Sequence, residues 1–417
     1  MRKRDAGAVP RLRFREFRED RPWSISTFSD LYSFKRTNSL SRDKLNYDDG
    51  EIKNIHYGDI HTKFRPLFRL ADEHVPYIKP ASWTNGPNDS VFCEEGDIVL
   101  ADASEDLEDV GKAIEIVSLE GERVVAGTHT ILATRRGSAP VIGFGGQLFQ
   151  SAAVRACIKR EAQGSKVYGI SATRISVIPV PIPPTEEEQR KIADCLGSLD
   201  DLIAAEGQRI EALRAHKRGL MQGLFPRPGE TVPRLRFPEF LQGPEWSAAK
   251  LADLIKVVSP PKKLLTSKYL AKGRFPIIDQ SSSYVCGWTN DNKAVIKEPV
   301  PVIVFGDHTC VLKLVNQPFA QGADGIKIFA AKRCVTTPYL YHQMLHIPLV
   351  IERYKRHFSI LKKKIVYFPK CTSEQYRIAD CLGSLDDLIA AENQKLGTLR
   401  LHKKGLMQRL FPNLETK

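Results

Sequence analysis

The chain has 417 residues, 42% of them apolar and 27% charged, enough for two to four domains with cores of their own and too apolar for extensive disorder. No run of 18 apolar residues occurs, and the basic start Met1-Arg2-Lys3-Arg4 leads into no apolar stretch, which argues against a membrane span and a signal peptide. Its 62 Lys and Arg exceed its 49 Asp and Glu by 13, and the pI near 9.3 favours a polyanionic partner, nucleic acid first, over a merely basic protein.

In chain order, the first feature is Val9-Pro10-Arg11-Leu12-Arg13-Phe14, which returns unchanged as 232 to 237, an offset of 223. A variable stretch follows, roughly 15 to 180, whose short apolar runs such as Gly96-Asp97-Ile98-Val99-Leu100 read as strands of an α/β or α+β domain. A helix is expected late in it, over Leu148 to Arg160. Pro183-Pro184-Thr185 with Glu188 then gives a stop, a cap and a capping-box partner for a helix of about 40 residues, closed by Pro226. The second copy repeats the plan. Its variable stretch, 238 to 370, carries the run Val300 to Asp307 and a helix pattern over Pro338 to Tyr354; Thr372 with Gln375 starts its long helix and Pro412 ends it. Ile192 to Glu206 returns letter for letter as Ile378 to Glu392, an offset of 186, so the second variable stretch is 37 residues shorter. The expected bounds are 9–184 and 232–371 for the domains, with 185–225 and 372–411 for the helices.

Apolar positions in the two helices alternate in steps of four and three, the seam of a coiled coil, interrupted at Glu206 and Lys217 in one and at Glu392 and Lys403 in the other. A parallel pair would set like charges together. An antiparallel pair sets Glu206 on Lys403 and Lys217 on Glu392, with Leu199 on Leu410 and Leu213 on Leu396. The expected architecture is therefore α+β: two variable α/β-type domains separated by an antiparallel two-helix coiled coil, with a pseudo-twofold internal repeat. Gly197, Gly219, Gly383 and Gly405 weaken the helices by about 1 kcal/mol each; they read equally as tolerated defects or as small residues that let another protein pack closely.

Motifs for covalent chemistry are weak. There is no Walker A sequence. Gly143-Phe144-Gly145-Gly146-Gln147 hints at a methyltransferase cofactor loop, but no Asn/Asp-Pro-Pro-aromatic motif accompanies it, and a tight turn is the simpler reading. His342 and His346 have metal-ligand spacing without the glutamate of a zinc hydrolase, and Glu105 to Asp109 reads as a solvated loop rather than a magnesium site. Eight cysteines without a C-x-x-C pair argue against zinc and disulfides and for reduced thiols in the cytoplasm. No metal site and no cofactor are expected in this chain. DNA-binding candidates are the basic clusters Lys35-Arg36, Arg135-Arg136, Lys262-Lys263, Arg353 with Lys355 and Arg356, and Lys362-Lys363-Lys364, since Arg and Lys reach phosphates and guanine edges.

Two variable domains, each leading into a nearly identical helix that starts Glu-Gln-x-x-Ile-Ala at 188–193 and 374–379, resemble the specificity subunit of type I restriction-modification systems. Gly127-Thr128-His129-Thr130-Ile131 and Gly322-Ala323-Asp324-Gly325-Ile326 also resemble that family's domain interiors; the shorter second domain departs from an even repeat. The resemblance implies two target-recognition domains, each reading half of a split sequence in double-stranded DNA. It implies paired helices that act as a spacer and dock two modification subunits. Those subunits would bind S-adenosylmethionine, and restriction subunits would use ATP and Mg to translocate and cut DNA. A helix of roughly 60 Å exceeds one DNA turn of about 34–36 Å. The rival readings are a non-catalytic scaffold or adaptor and a stand-alone methyltransferase or nuclease.

Overall fold

The short apolar runs of both variable regions become strands, and the stretches patterned in fours and threes become helices. The computed structural model describes residues 8–83, 91–227, 229–322, 325–347, 349 and 357–414. It comprises two units, one running to Glu206 and resuming at Lys395, the other spanning Gly207–Gln394. Each unit holds one variable domain, the start of one long helix and the end of the other. Each variable domain therefore lies within one unit, and each long helix is divided between the two.

In the first unit a five-stranded sheet has the order Tyr32–Lys35, Thr130–Arg135, Ile98–Ala101, Ala113–Ser118, Leu67–Arg69, antiparallel except for the last pair. Ile98–Ala101 is buried at every position, which is why it reads as an unbroken apolar run. A second sheet, Arg123–Ala126, Ile52–Ile55, Tyr77–Ile78, Leu45–Asn46, opens with a parallel pair. Ser24–Thr27 pairs with Pro179–Ile182 where the chain enters and leaves the domain. The second unit repeats these three layers with fewer residues. Ile255–Val257, Ile326–Ala331, Val302–Gly306 and Leu312–Val315 form an antiparallel sheet, and Gly287–Thr289, Phe275–Ile278, Phe319–Gln321 and Val295–Ile296 a mixed one. Trp246–Lys250 pairs with Ile365–Pro369.

The helix expected over 148–160 is broken. Phe144–Gln150 ends at Ser151, whose hydroxyl accepts the Val154 amide and caps Ala152–Glu161. In the second unit the helix is Thr337–His346, and the rest of the stretch expected to be helical, beyond Ile347, lies largely outside the described residues.

The long helices are Glu186–Leu224 and Thr372–Leu410, 39 residues each. In the first unit Ile192 and Leu196 share a core with Leu410 and Phe411, with Leu406 packed against it; in the second, Ile378 and Leu382 share a core with Leu224 and Phe225, with Leu220 packed against it. In each unit the start of one helix thus lies along the end of the other. The charge pairing differs from the sequence expectation. Lys403 Nζ meets Asp200 at 2.5 and 2.6 Å rather than Glu206, and Lys217 Nζ meets Asp386 at 2.5 Å rather than Glu392. Glu206 is 2.6 Å from Lys395 and Glu392 is 2.9 Å from Arg209. The partners have moved by six residues for the lysines and eight for the glutamates, which brackets one heptad. The physical reason lies at the helix ends. Phe411 inserts beside Trp23, ring centroids 6.2 Å apart, and Phe225 beside Tyr339 at 5.8 Å. Burying these two rings fixes the register, and a one-heptad slide still sets apolar residue on apolar residue at most seam positions while each seam charge comes opposite an apolar residue and pairs beside the seam.

Candidate nucleic-acid interface

Two identical clamps position the domains on their helices. Arg13 donates to both oxygens of Glu188, at 2.7 and 2.6 Å, and also to the carbonyls of Asp20 and Arg21. Arg236 does the same with Glu374, at 2.6 and 2.8 Å, and with the carbonyls of Gly243 and Pro244. Both carboxylates are fully buried. The capping box is therefore half made: the Glu188 amide donates to Thr185 Oγ1, but the Glu188 carboxylate goes to Arg13 and to Trp23 Nε1. The next residue completes the joint. Gln189 accepts the Val141 amide and donates to Pro183 O; Gln375 accepts the Thr336 amide and donates to Pro369 O. The Arg-Leu-Arg-Phe and Glu-Gln repeats are thus two halves of one device. Leu12 N donates to Arg409 O and Leu235 N to Gly223 O, tying each lead-in segment to a helix end.

The Gly-rich stretch 143–147, expected as a tight turn, is instead the cap and first turn of the helix Phe144–Gln150, and its amides are held by the protein's own carboxylate. Glu115 Oε2 accepts the amides of Gly143 and Gly146 at 3.0 and 2.7 Å. Gly143 has φ +95°, and a Cβ at Gly146 would lie 2.8 Å from Pro66 O, so both positions need glycine. Burial pushes Glu115 up to about 7, against the pull of those two amides. His342 is buried with Nδ1 3.9 Å from Asp386, and burial pushes it down to about 3. His346 packs by Phe225, ring centroids 5.3 Å apart. Among the described residues no cluster of three His, Cys, Asp or Glu could hold a metal. Lys159 and Lys112 pair with Glu108 and Asp109 of the acidic loop. Of the four helix glycines, Gly219 and Gly405 face open space, and Gly197 and Gly383 meet Leu67 and His342 at 3.6 and 4.0 Å.

The basic candidates separate into two groups. Strand Thr130–Arg135 runs antiparallel to Tyr32–Lys35 with Leu132 opposite Lys35 and Arg135 opposite Tyr32, so Lys35-Arg36 and Arg135-Arg136 sit at opposite ends of the ladder. Lys35 is 2.6 Å from Glu94, and Arg36 is exposed. Arg135 is partly buried, covers Gly96 and donates to Pro140 O, which makes it a packing residue. Lys262 and Lys263 are exposed, and Lys262 pairs with Asp291. Leu264 N donates to Gln321 O at 3.0 Å, as Asn38 N donates to Ala126 O at 3.0 Å. Arg36 and Lys262 therefore occupy equivalent places, each two residues ahead of that hydrogen bond. Lys362, Lys363 and Lys364 lie in the turn before Ile365–Pro369, where the carbonyls of Lys362 and Lys364 accept from Ala252 and Leu251. That puts them at the Ala331 end of the sheet, away from Gln321. Arg353, Lys355 and Arg356 lie outside the described residues.

Sequence reasoning missed a cluster beside Arg36. Tyr57 packs against His56, His61 and His129 with ring centroids 4.7, 6.0 and 5.2 Å away. Arg42 and Lys63 converge on Asp59, and Lys63 also lies over Tyr47. The histidines are spread over 73 residues of sequence, from 56 to 129, so only the motif at Gly127-Thr128-His129 carried a signal.

Residues 147–215 match the family described as the type I restriction modification DNA specificity domain. The type I restriction enzyme MjaVIII specificity subunit of Methanocaldococcus jannaschii is 24% identical over 287 residues, 61% of this chain and 66% of that protein. The putative MjaX specificity subunit of the same organism is 26% identical over 266 residues, 58% and 60%. Over these stretches the chain is similar to type I restriction-modification specificity subunits. It matches slightly under two thirds of the length of these relatives. The specificity-subunit fold is shared with the S subunit from M. genitalium, at a TM-score of 0.68 over 98% of this chain and 100% of that one, with 14% identity. No helix among the described residues is long and apolar enough to cross a membrane, and all eight cysteines are free.

Proposed function

We propose that this chain reads a split sequence in double-stranded DNA, one half with each variable domain, and performs no covalent chemistry itself. The observation that carries this reading is a basic approach repeated at the same end of both domains. Arg36 stands by the Ala126–Gly127 turn, and Lys262-Lys263 by Gln321–Gly322, on matching backbone hydrogen bonds. Exposed Arg and Lys fix a domain on phosphates, and neighbouring turn residues then reach base edges. Domains 9–184 and 232–371 act as the readers, and helices 185–225 and 372–411 as the spacer.

The helices also dock two modification subunits in this reading. An exposed stripe, Asp194, Ser198, Asp201, Leu202 and Ala205, recurs as Asp380, Ser384, Asp387, Leu388 and Ala391, offering one chemistry twice. S-adenosylmethionine, ATP and Mg belong to those modification subunits and to restriction subunits, and the work is cytoplasmic.

Charge reversal tests the reading. With the chain bound to its modification subunits, Arg36→Glu and the pair Lys262→Glu, Lys263→Glu are each expected to weaken DNA binding about tenfold and to flatten the slope of log affinity against log salt by about one per lost phosphate contact. Lys363→Glu, at the far end of the second domain, should leave both unchanged. Equal effects at both ends, or none, would favour the scaffold reading.

A further inference from the structure

We infer that His129 is a base-reading residue of the first domain, presented to one half of the DNA target by a strained turn; the inference rests on the DNA-reading role proposed above. His129 has φ +52°, in the left-handed region that non-glycine residues seldom adopt. The second domain shows what the backbone alone requires there. Asp102 N donates to His129 O, and Asp307 N donates to Gly325 O. Thr130 lies opposite Ala101, and Ile326 opposite Gly306. These bonds and registers make His129 the counterpart of Gly325, a glycine with φ +84°. Glycine holds that conformation without strain, so a histidine in its place is accounted for by its side chain.

That side chain is poised outward. It is 58% exposed, its Nδ1 is 3.3 Å from Asp102 Oδ1, and its ring meets the edge of Tyr57. The backbone beneath it is fixed on both sides. Gly127 N donates to Ile55 O, Thr130 Oγ1 to Gly127 O, and Asn38 Nδ2 to Ala126 O and Asn54 Oδ1. Arg36, an exposed cation of this end, precedes Thr37, whose hydroxyl donates to Thr130 O. An imidazole presented from a fixed backbone near an exposed cation matches the needs of a major-groove contact to purine N7 or O6. The counterpart carbonyl-side residue in the second domain, Asp307, is spent internally on Phe358 N, so the two domains present different chemistry on one framework.

The test uses the full chain with its modification subunits, selecting from a duplex library randomised across the target. The variant is His129→Gly, which keeps the backbone conformation and relieves its strain, so its melting temperature should not fall. The inference predicts that wild type specifies two blocks of bases. It predicts that the variant loses about tenfold or more of the preference at one or two positions of one block, with the other block intact. Retention of both preferences by the variant, or equal loss in both blocks, would overturn the role of His129 while leaving the DNA-reading role standing. A wild-type chain that specifies no bases would overturn both.

Discussion

Glu115 shows how a single buried group can carry a measurable signature. The folded state holds its proton more tightly than the unfolded chain does, because burial raises it to about 7 from an ordinary 4.5. Between those values the native state carries more protons, so this group's contribution to stability falls as pH rises, by up to about 3 kcal/mol in total. Glu115→Gln keeps an acceptor for the Gly143 and Gly146 amides and removes the titration. The difference in urea-unfolding free energy between variant and wild type should therefore shift in the variant's favour by about 2–3 kcal/mol from pH 4.5 to pH 8; a constant difference would show that Glu115 does not titrate there. The glycines at 143–146 read as a tight turn, whereas Gly143 caps a helix that begins at Phe144. The carboxylate that holds the Gly143 and Gly146 amides was not legible, because Ala113-Ile114-Glu115-Ile116-Val117 reads as a strand and gives no sign of what its one charge faces. His129 was in a quoted motif, but its left-handed backbone depends on hydrogen bonds to residues 27 and 72 positions away, at 102 and 55 through Gly127.

At the scale of elements, the long helices were the most legible part of the fold and their register the least. A seam stepping in fours and threes is set by local sequence, whereas sliding one helix by a heptad exchanges one apolar neighbour for another at little cost. The choice is made outside the seam, by Phe225 and Phe411 in the domain cores and by Asp200 and Asp386 beside it. A double-mutant cycle separates the two registers. Asp200→Ala with Lys403→Ala should show a coupling of about 1–2 kcal/mol in chemical unfolding, and Glu206→Ala with Lys403→Ala a coupling near zero; the reverse ranking would restore the register read from the sequence. The clamps are of a different order. Arg13→Ala leaves the fully buried Glu188 carboxylate without its cation, and about 3–5 kcal/mol of stability should be lost, whereas Arg190→Ala, at an exposed pair with Glu186, should cost under 1 kcal/mol.

The whole molecule is organised by its repeat. Lead-in segment, clamp, helix start and helix tail are the same in both copies, and the tail of one copy's helix completes the core of the other copy's domain. Leu12 meets Arg409 as Leu235 meets Gly223, so the start of the chain is fastened to the end of the second helix by the bond that fastens the second lead-in to the first. The copies differ throughout their variable domains, and at the proposed reading ends they carry Arg36 and His129 in one and Lys262, Lys263 and Gly325 in the other. In the proposed reading, a frame used twice with different readers implies an asymmetric target in two parts. The most direct measurement is a hydroxyl-radical footprint of the chain with its modification subunits on DNA selected for tight binding. Two protected blocks of unlike sequence should appear, separated by a stretch whose sequence can be changed without loss of affinity but whose length cannot. A single continuous footprint, or protection that tolerates any change in that length, would contradict the account.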